Sequence, residues 1–480
     1  MVSDCSFQVS TSITMVNTFW AYTAPLLGAY VADTYLGRLR TIQYAIRFAL
    51  VGHCILIMSS LPFMIARPQL ALPVFLVGLL FMGLGTGGFK SNISPLLAEQ
   101  IPQAQKQVRI LPTGERVIVD PVVTVSRLYM YFYLMINFGS LFGGTSMVYA
   151  EKYLGFWAAF TLPTLMFCLC PLVLARCQSQ YRQTATPPWQ NTLTLAFRLY
   201  LLALRQSRKP QHTQHTFWDA IKPSKLPHPH PPWLSTIPDS YIDQIARGFT
   251  ACKVFAFFPL YWLAYNQMVN NLTSQSATMT LTGGVPNDII NNLNPLCLIL
   301  VIPLMDSLVY PFLRRMRINF TPVKRITFGF FVAAAAMASA MCIQLYIYAH
   351  SPCGSFPSAP TCHDPAPLSV WWQSISYILI GLSEIFASVT GLEYAFTKAP
   401  EDMRSLVTAV YLLQTAVAAV LGQLLVPLSA DPWLVVNYAV AGVLAAVGGW
   451  AFWRGNRWAD EREDEMNMVG ETGVEMGGVR

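Results

Sequence analysis

Eleven apolar runs of about 20 residues constrain this chain more than any other feature. They cover roughly residues 15–33, 41–66, 70–95, 127–148, 154–175, 251–270, 290–312, 324–349, 370–396, 405–428 and 432–453. At 1.5 Å per residue, such a run matches the thickness of a bilayer's hydrocarbon core. In lipid the backbone must satisfy its own hydrogen bonds, which a helix does. The chain therefore reads as an all-α membrane protein with eleven visible transmembrane helices, five before a long polar segment and six after it. Only 11% of residues are charged, against about 25% in soluble domains. The net charge of +7 is dispersed over loops rather than gathered on one domain. The lipid bilayer is thus an expected partner and nucleic acid is not.

Loop charge sets the orientation, because cytosolic loops are enriched in Lys and Arg. The loops 34–40, 96–127, 176–253, 313–325 and 397–404 and the tail from Arg454 hold 27 of the 31 basic residues, whereas the alternate connections hold Arg67 and Lys152. This places the C-terminus in the cytosol and the N-terminus outside. The start, MVSDCSFQVS, has no basic n-region and no small-residue cleavage site, so no signal peptide is expected. A first helix missing upstream of Met1 would reconcile the two, giving six helices plus six. The expected organisation is an N-terminal transmembrane bundle over 1–175 lacking that helix, a cytosolic linker over 176–250, a C-terminal six-helix bundle over 251–453 and an acidic cytosolic tail over 454–480.

The linker is rich in Pro, His, Gln and basic residues and has no core pattern beyond short amphipathic helices. His212, His215, His228 and His230 read as solvated linker rather than a metal site, since no Cys or carboxylate completes a ligand set. Most of the ten cysteines lie within helices as small apolar residues. Cys353 and Cys362 differ, for both fall in the outside loop SPCGSFPSAPTCHD. An oxidising compartment makes them disulfide candidates, with two free thiols the alternative. The sequon Asn271-Leu-Thr273 abuts the membrane and is read as unused.

Two charges stand where hydrocarbon is expected. Glu384 lies in GLSEIFASVTGLEYAFTKAP and Lys90 in FMGLGTGGFKSNISPLL. A charge at mid-membrane costs about 2.5–3.5 kcal/mol on insertion scales and generally faces a cavity. The bland alternative for Lys90 is snorkelling to the interface. Gly83, Gly85 and Gly88 spell G-x-G-x-x-G without a preceding strand, so a nucleotide site is set aside in favour of close helix packing. Asn137, Asn266, Gln267 and Asn294 lie at similar depth, with Tyr22, Tyr133, Trp262 and Tyr411. Each buried Asn alone is more often helix glue than a ligand contact. Together, one cation, one anion, amides and aromatics suit a small zwitterion. Glu393 follows Glu384 on the same run. The chain shows no nucleophile–base set and no metal cluster with ligand spacing, so an enzyme is not expected.

These stretches also carry a resemblance. GAYVADTYLGRLRTI (28–42), GLGTGGFKSN (83–92), FYLMINFGSL (132–141), PLYWLAYNQ (259–267), NPLCLILVIPLMDSLVYPFLRR (294–315) and the Glu384 segment occur in the order seen in proton-dependent oligopeptide transporters. The chain resembles this family of the major facilitator superfamily, and its fungal members most, from about Phe19 to Trp453. The resemblance implies two six-helix bundles around a central cavity, twelve helices in all, working by alternating access. It implies proton-coupled symport of di- and tripeptides by a monomer, with the proton gradient as energy source and no cofactor. The plasma membrane is the expected location, the vacuolar membrane the alternative. It also implies that Lys90 faces the peptide carboxylate and Glu384 the ammonium. Asn137, Asn294, Tyr22, Tyr133 and Trp262 would contact the rest of the peptide. Asp33 and Arg38 would brace the cytosolic gate, and Glu384 or Glu393 would carry the proton.

Two departures qualify this. The family's Glu-x-x-Glu-Arg motif, which would pair with Lys90, is absent from every apolar run. Asn266 and Tyr411 stand where many members have Asp and Trp. Alternative roles are a truncated or uncoupled member acting as a sensor or interaction protein, and a relative moving another small solute such as nitrate.

Overall fold

The computed structural model describes residues 2–101, 107–110, 114, 116–119, 121–178, 181, 192–207, 217–225, 232–235, 237–281, 287–316, 320–359, 361–362, 364–399 and 403–461. Every apolar run is occupied by helix. The first five give Val2–Val31, Arg38–Ser59, Pro68–Glu99 and Pro121–Leu154, then Phe156–Phe167 continued by Leu169–Cys177. The last six centre on Phe258–Asn266, Leu293–Leu304, Pro322–His350, Ser374–Glu384, Arg404–Leu425 and Leu434–Glu461. Among the described residues, eight helices are long and apolar enough to cross a membrane on their own. The runs around 15–33, 127–148 and 251–270 are helical without reaching that combination of length and hydropathy. The chain is an all-α, multi-pass integral membrane protein.

Some boundaries differ from the sequence pattern. The 41–66 run breaks after Ser59, where Leu61 turns extended ahead of Pro62, as a residue preceding proline prefers. The run at 251 begins much earlier. A helix over Asp239–Val254 buries Tyr241, Ile242, Ile245 and Gly248 on one face and feeds through Phe255–Phe257 into Phe258–Asn266. The Thr192–Ser207 helix packs Ala196, Leu199 and Ala203 into the same core as the C-terminal bundle. The latter lies within 176–250, and the former begins there and runs on to Val254. His212, His215, His228, His230 and tail residues 462–480 lie outside the described residues.

A small ion-pair cluster ties residues 219–225 to the Asp239–Val254 helix. Lys222 Nζ lies 2.8 Å from Asp219 and 2.7 Å from Asp243, and Lys225 Nζ lies 3.2 Å from Asp219. The hydrogen bonds that Lys222 donates to Asp219 and Asp243 raise its pKa above the ordinary lysine value. A raised lysine pKa stabilises the fold below the unfolded-state value and loses that contribution as pH rises through the folded one, so the pairing persists at physiological pH.

The two bundles pack by different means. In the first, bare backbones meet: a Cβ on Gly28 would come 2.6 Å from Gly88 Cα, and one on Gly87 would come 2.4 Å from Ala24 Cβ. In the second, rings do the filling. Phe258 lies 5.5 Å from Phe255, 5.8 Å from Phe330 and 5.5 Å from Tyr411 by ring centroids, in edge-on geometries. The bundles meet through several contacts. Gln423 Nε2 donates to Ser12 Oγ at 2.9 Å, and Leu392 packs with Ala98, Tyr129 and Phe132.

Candidate functional site

Glu384 ends the Ser374–Glu384 helix, and the ladder then loosens into a π-helical turn over Ile385–Val389. Such turns recur at functional sites. The side chain is 5% exposed, so its oxygens need partners within the protein. The Tyr133 hydroxyl donates to Oε1, and Asn294 Nδ2 donates to Oε2 at 3.0 Å. The Tyr265 hydroxyl lies beside them and accepts from Asn294 Nδ2 at 3.3 Å. Gly381 makes the approach of Asn294 possible, since a Cβ there would sit 2.8 Å from Asn294 Oδ1. Tyr133 belongs to the Pro121–Leu154 helix of the first bundle. Its bond to Glu384 therefore joins the bundles at a buried charge.

On the helices that carry Tyr265 and Asn294, three buried polar atoms have no hydrogen-bond partner: Trp262 Nε1, Asn266 Nδ2 and Asn294 Oδ1. Trp262 and Asn266 are four residues apart on one helix, hence on one face. The set offers two unused N–H donors and one unused carbonyl. Tyr411, 6.4 Å from Trp262 by ring centroids, donates its hydroxyl to the Ser388 carbonyl at 2.9 Å, inside the π-helical turn. Asn137 is buried, but its amide nitrogen donates to the Tyr133 carbonyl of its own helix at 2.9 Å.

Lys90 is less embedded. Its Nζ lies 4.3 Å from the centroid of the Tyr22 ring, and among the described residues no carboxylate pairs with it. A cation over an aromatic face gains about 0.5–2 kcal/mol, less than an ion pair needs to offset full burial. Glu393 lies past the π-helical turn on the Thr390–Lys398 helix and takes no part in the hydrogen bonds around Glu384. Asp33 lies in a second π-helical turn, Ala32–Leu36, which closes at Gly37 with φ +73°. Arg38 forms an ion pair with Glu99, tying the start of the Arg38–Ser59 helix to the end of the Pro68–Glu99 helix. In the loop after the Pro322–His350 helix, Cys353 and Cys362 are disulfide-bonded with Cα atoms 6.0 Å apart. The loop docks through Ser358, whose N–H donates to Asp431 at 3.0 Å.

Sequence reasoning did not single out Tyr265, Ser388 or Glu99. Tyr265 sits beside Trp262 and Asn266 in PLYWLAYNQ, and its neighbours there were the available signal. Glu99 pairs with a residue 61 positions away, which no local pattern reveals.

Comparison with known proteins adds independent findings. A family model described as POT family matches residues 39–439. The peptide transporter PTR_B of Candidozyma auris is 41% identical over 463 residues, covering 96% of this chain and 77% of that one. The peptide transporter PTR2 of Saccharomyces cerevisiae is 36% identical over 470 residues, covering 96% of this chain and 74% of that one. Among solved structures, an auto-inhibited POT family peptide transporter superposes with a TM-score of 0.70 at 21% identity, over 94% of this chain and 88% of that one.

Proposed function

The chain belongs to the POT family, and on that premise we propose that it carries di- and tripeptides across a membrane, driven by protons and by alternating access of its two bundles. The observation that carries this reading is the buried Glu384 carboxylate, held by donors from both bundles. A free peptide presents an ammonium, a carboxylate and amide groups between them. The ammonium pairs with Glu384 and the carboxylate with Lys90, since each buried charge is tolerable only when paired. The unused N–H groups of Trp262 and Asn266 suit peptide carbonyls, and the unused Asn294 carbonyl suits a peptide N–H.

Alternating access requires bonds between the bundles that exchange as the protein rocks. The Tyr133–Glu384 bond, the Ser12–Gln423 bond and the Leu392 contacts are of that kind. The proton is carried by Glu384 or Glu393, because Asn266 cannot take one up. One chain supplies every group named, so a monomer in the plasma membrane suffices.

The test is uptake of labelled dialanine into proteoliposomes under an imposed inward proton gradient. Wild-type protein concentrates the dipeptide, and unlabelled dipeptides compete where nitrate does not. Glu384→Gln and Lys90→Ala each abolish uptake. Normal uptake by either variant contradicts the site assignment, and binding without accumulation contradicts coupled transport.

A further inference from the structure

Both oxygens of Glu384 already accept hydrogen bonds. Oε1 receives the Tyr133 hydroxyl and Oε2 the Asn294 amide, and the Tyr265 hydroxyl lies beside them, accepting from Asn294. Asn294 lies on the helix packed directly against Gly381, and Tyr265 on the helix that also carries Trp262. Both belong to the same bundle as Glu384. Tyr133 is the exception, reaching in from the other bundle. An ammonium brings three N–H donors and a charge, and the phenol stands on Oε1 where one of those donors would bind.

We propose that Tyr133 is an internal competitor for the substrate's ammonium: its hydroxyl occupies Glu384 in the empty protein and is displaced when the ammonium binds. This rests on the peptide reading above and deepens it. Three consequences separate it from a simple ligand contact. Losing the hydroxyl frees Glu384, so ligands bearing an ammonium bind more tightly. The gain is confined to ligands with a free ammonium. The empty protein loses a bond between its bundles, so it becomes less stable until ligand restores the charge pairing. The same exchange gives specificity, because a ligand without an ammonium offers nothing to compensate Glu384 for the lost phenol.

The experiment measures binding of dialanine and N-acetyl-dialanine to the purified full chain by calorimetry, with melting temperature as a second readout. Tyr133→Phe keeps the ring and removes the hydroxyl, and Tyr133→Leu serves if the first variant does not fold. The expected result is about tenfold tighter dialanine binding, the worth of one hydrogen bond to a charged group. N-acetyl-dialanine affinity stays unchanged, and the melting temperature without ligand falls. Equal or weaker dialanine binding by the variant overturns the competition and makes Tyr133 an ordinary contact. Equal tightening for both ligands also overturns it, because the cavity has then merely opened. Binding of dialanine by neither wild type nor variant removes the peptide reading itself, and the competition with it.

Discussion

The two halves of the candidate site are built on opposite principles. Glu384 is enclosed: a donor from each bundle holds it, a glycine makes room for one of them, and aromatic rings pack the bundle around it. Lys90 is half-buried and lightly held: one tyrosine ring lies beneath it, and the helix that carries it packs through glycines. The difference teaches where rigidity resides. A charge surrounded by donors has a fixed address, and its removal leaves those donors without a partner. A charge over a single ring keeps its freedom, and its removal leaves little behind.

The sharpest way to break this comparison is Glu384→Ala. The loss of a buried charge partner is worth about 3–5 kcal/mol, so dialanine uptake should fall by at least ~100-fold. The melting temperature should fall as well, since each orphaned donor costs about 1–3 kcal/mol. Lys90→Ala should match the loss of uptake but leave the fold nearly as stable, because the contact removed is worth about 0.5–2 kcal/mol. Thermal unfolding of the two variants side by side separates them, and equal destabilisation would erase the distinction drawn here.

Packing supplies the next test. Gly28→Val places carbon against the Gly88 backbone and should cost about 1–3 kcal/mol through overpacking, visible as a lower denaturation midpoint. Tyr411→Phe removes the hydroxyl bond to the Ser388 carbonyl while keeping the ring. It should cost about 0.5–1.5 kcal/mol and lower uptake modestly. A larger effect from Tyr411→Phe than from Gly28→Val would mean that the polar link to the π-helical turn outweighs backbone contact.

Much of the fold was legible in the sequence because a lipid solvent leaves few options. Twenty apolar residues in a row have one satisfactory conformation, and eleven such runs mark eleven helices. What stayed hidden was amphipathic or long-range. Asp239–Val254 reads as linker because half its surface is polar, yet its buried face sits in the second bundle's core. Lys90 and Glu384 stood out as charges in oil, and Trp262, Asn294 and Tyr133 as polar company at the same depth. Their pairing did not. Tyr133 and Glu384 are 251 residues apart, and only the docking of one bundle on the other brings them together. Arg38 and Glu99 meet only because two helices of the first bundle pack side by side, which no local pattern reveals.

One measurement bears most directly on the central claim, that Glu384 receives the ammonium of a peptide. It is counterflow of labelled dialanine in proteoliposomes preloaded with unlabelled dialanine, without a proton gradient, for wild type and Glu384→Gln. Counterflow needs substrate binding and bundle movement but no net proton movement. Wild type should exchange rapidly and Glu384→Gln should not exchange. Exchange by Glu384→Gln at the wild-type rate would show that the buried carboxylate does not hold the substrate, and the site would have to lie elsewhere in the cavity.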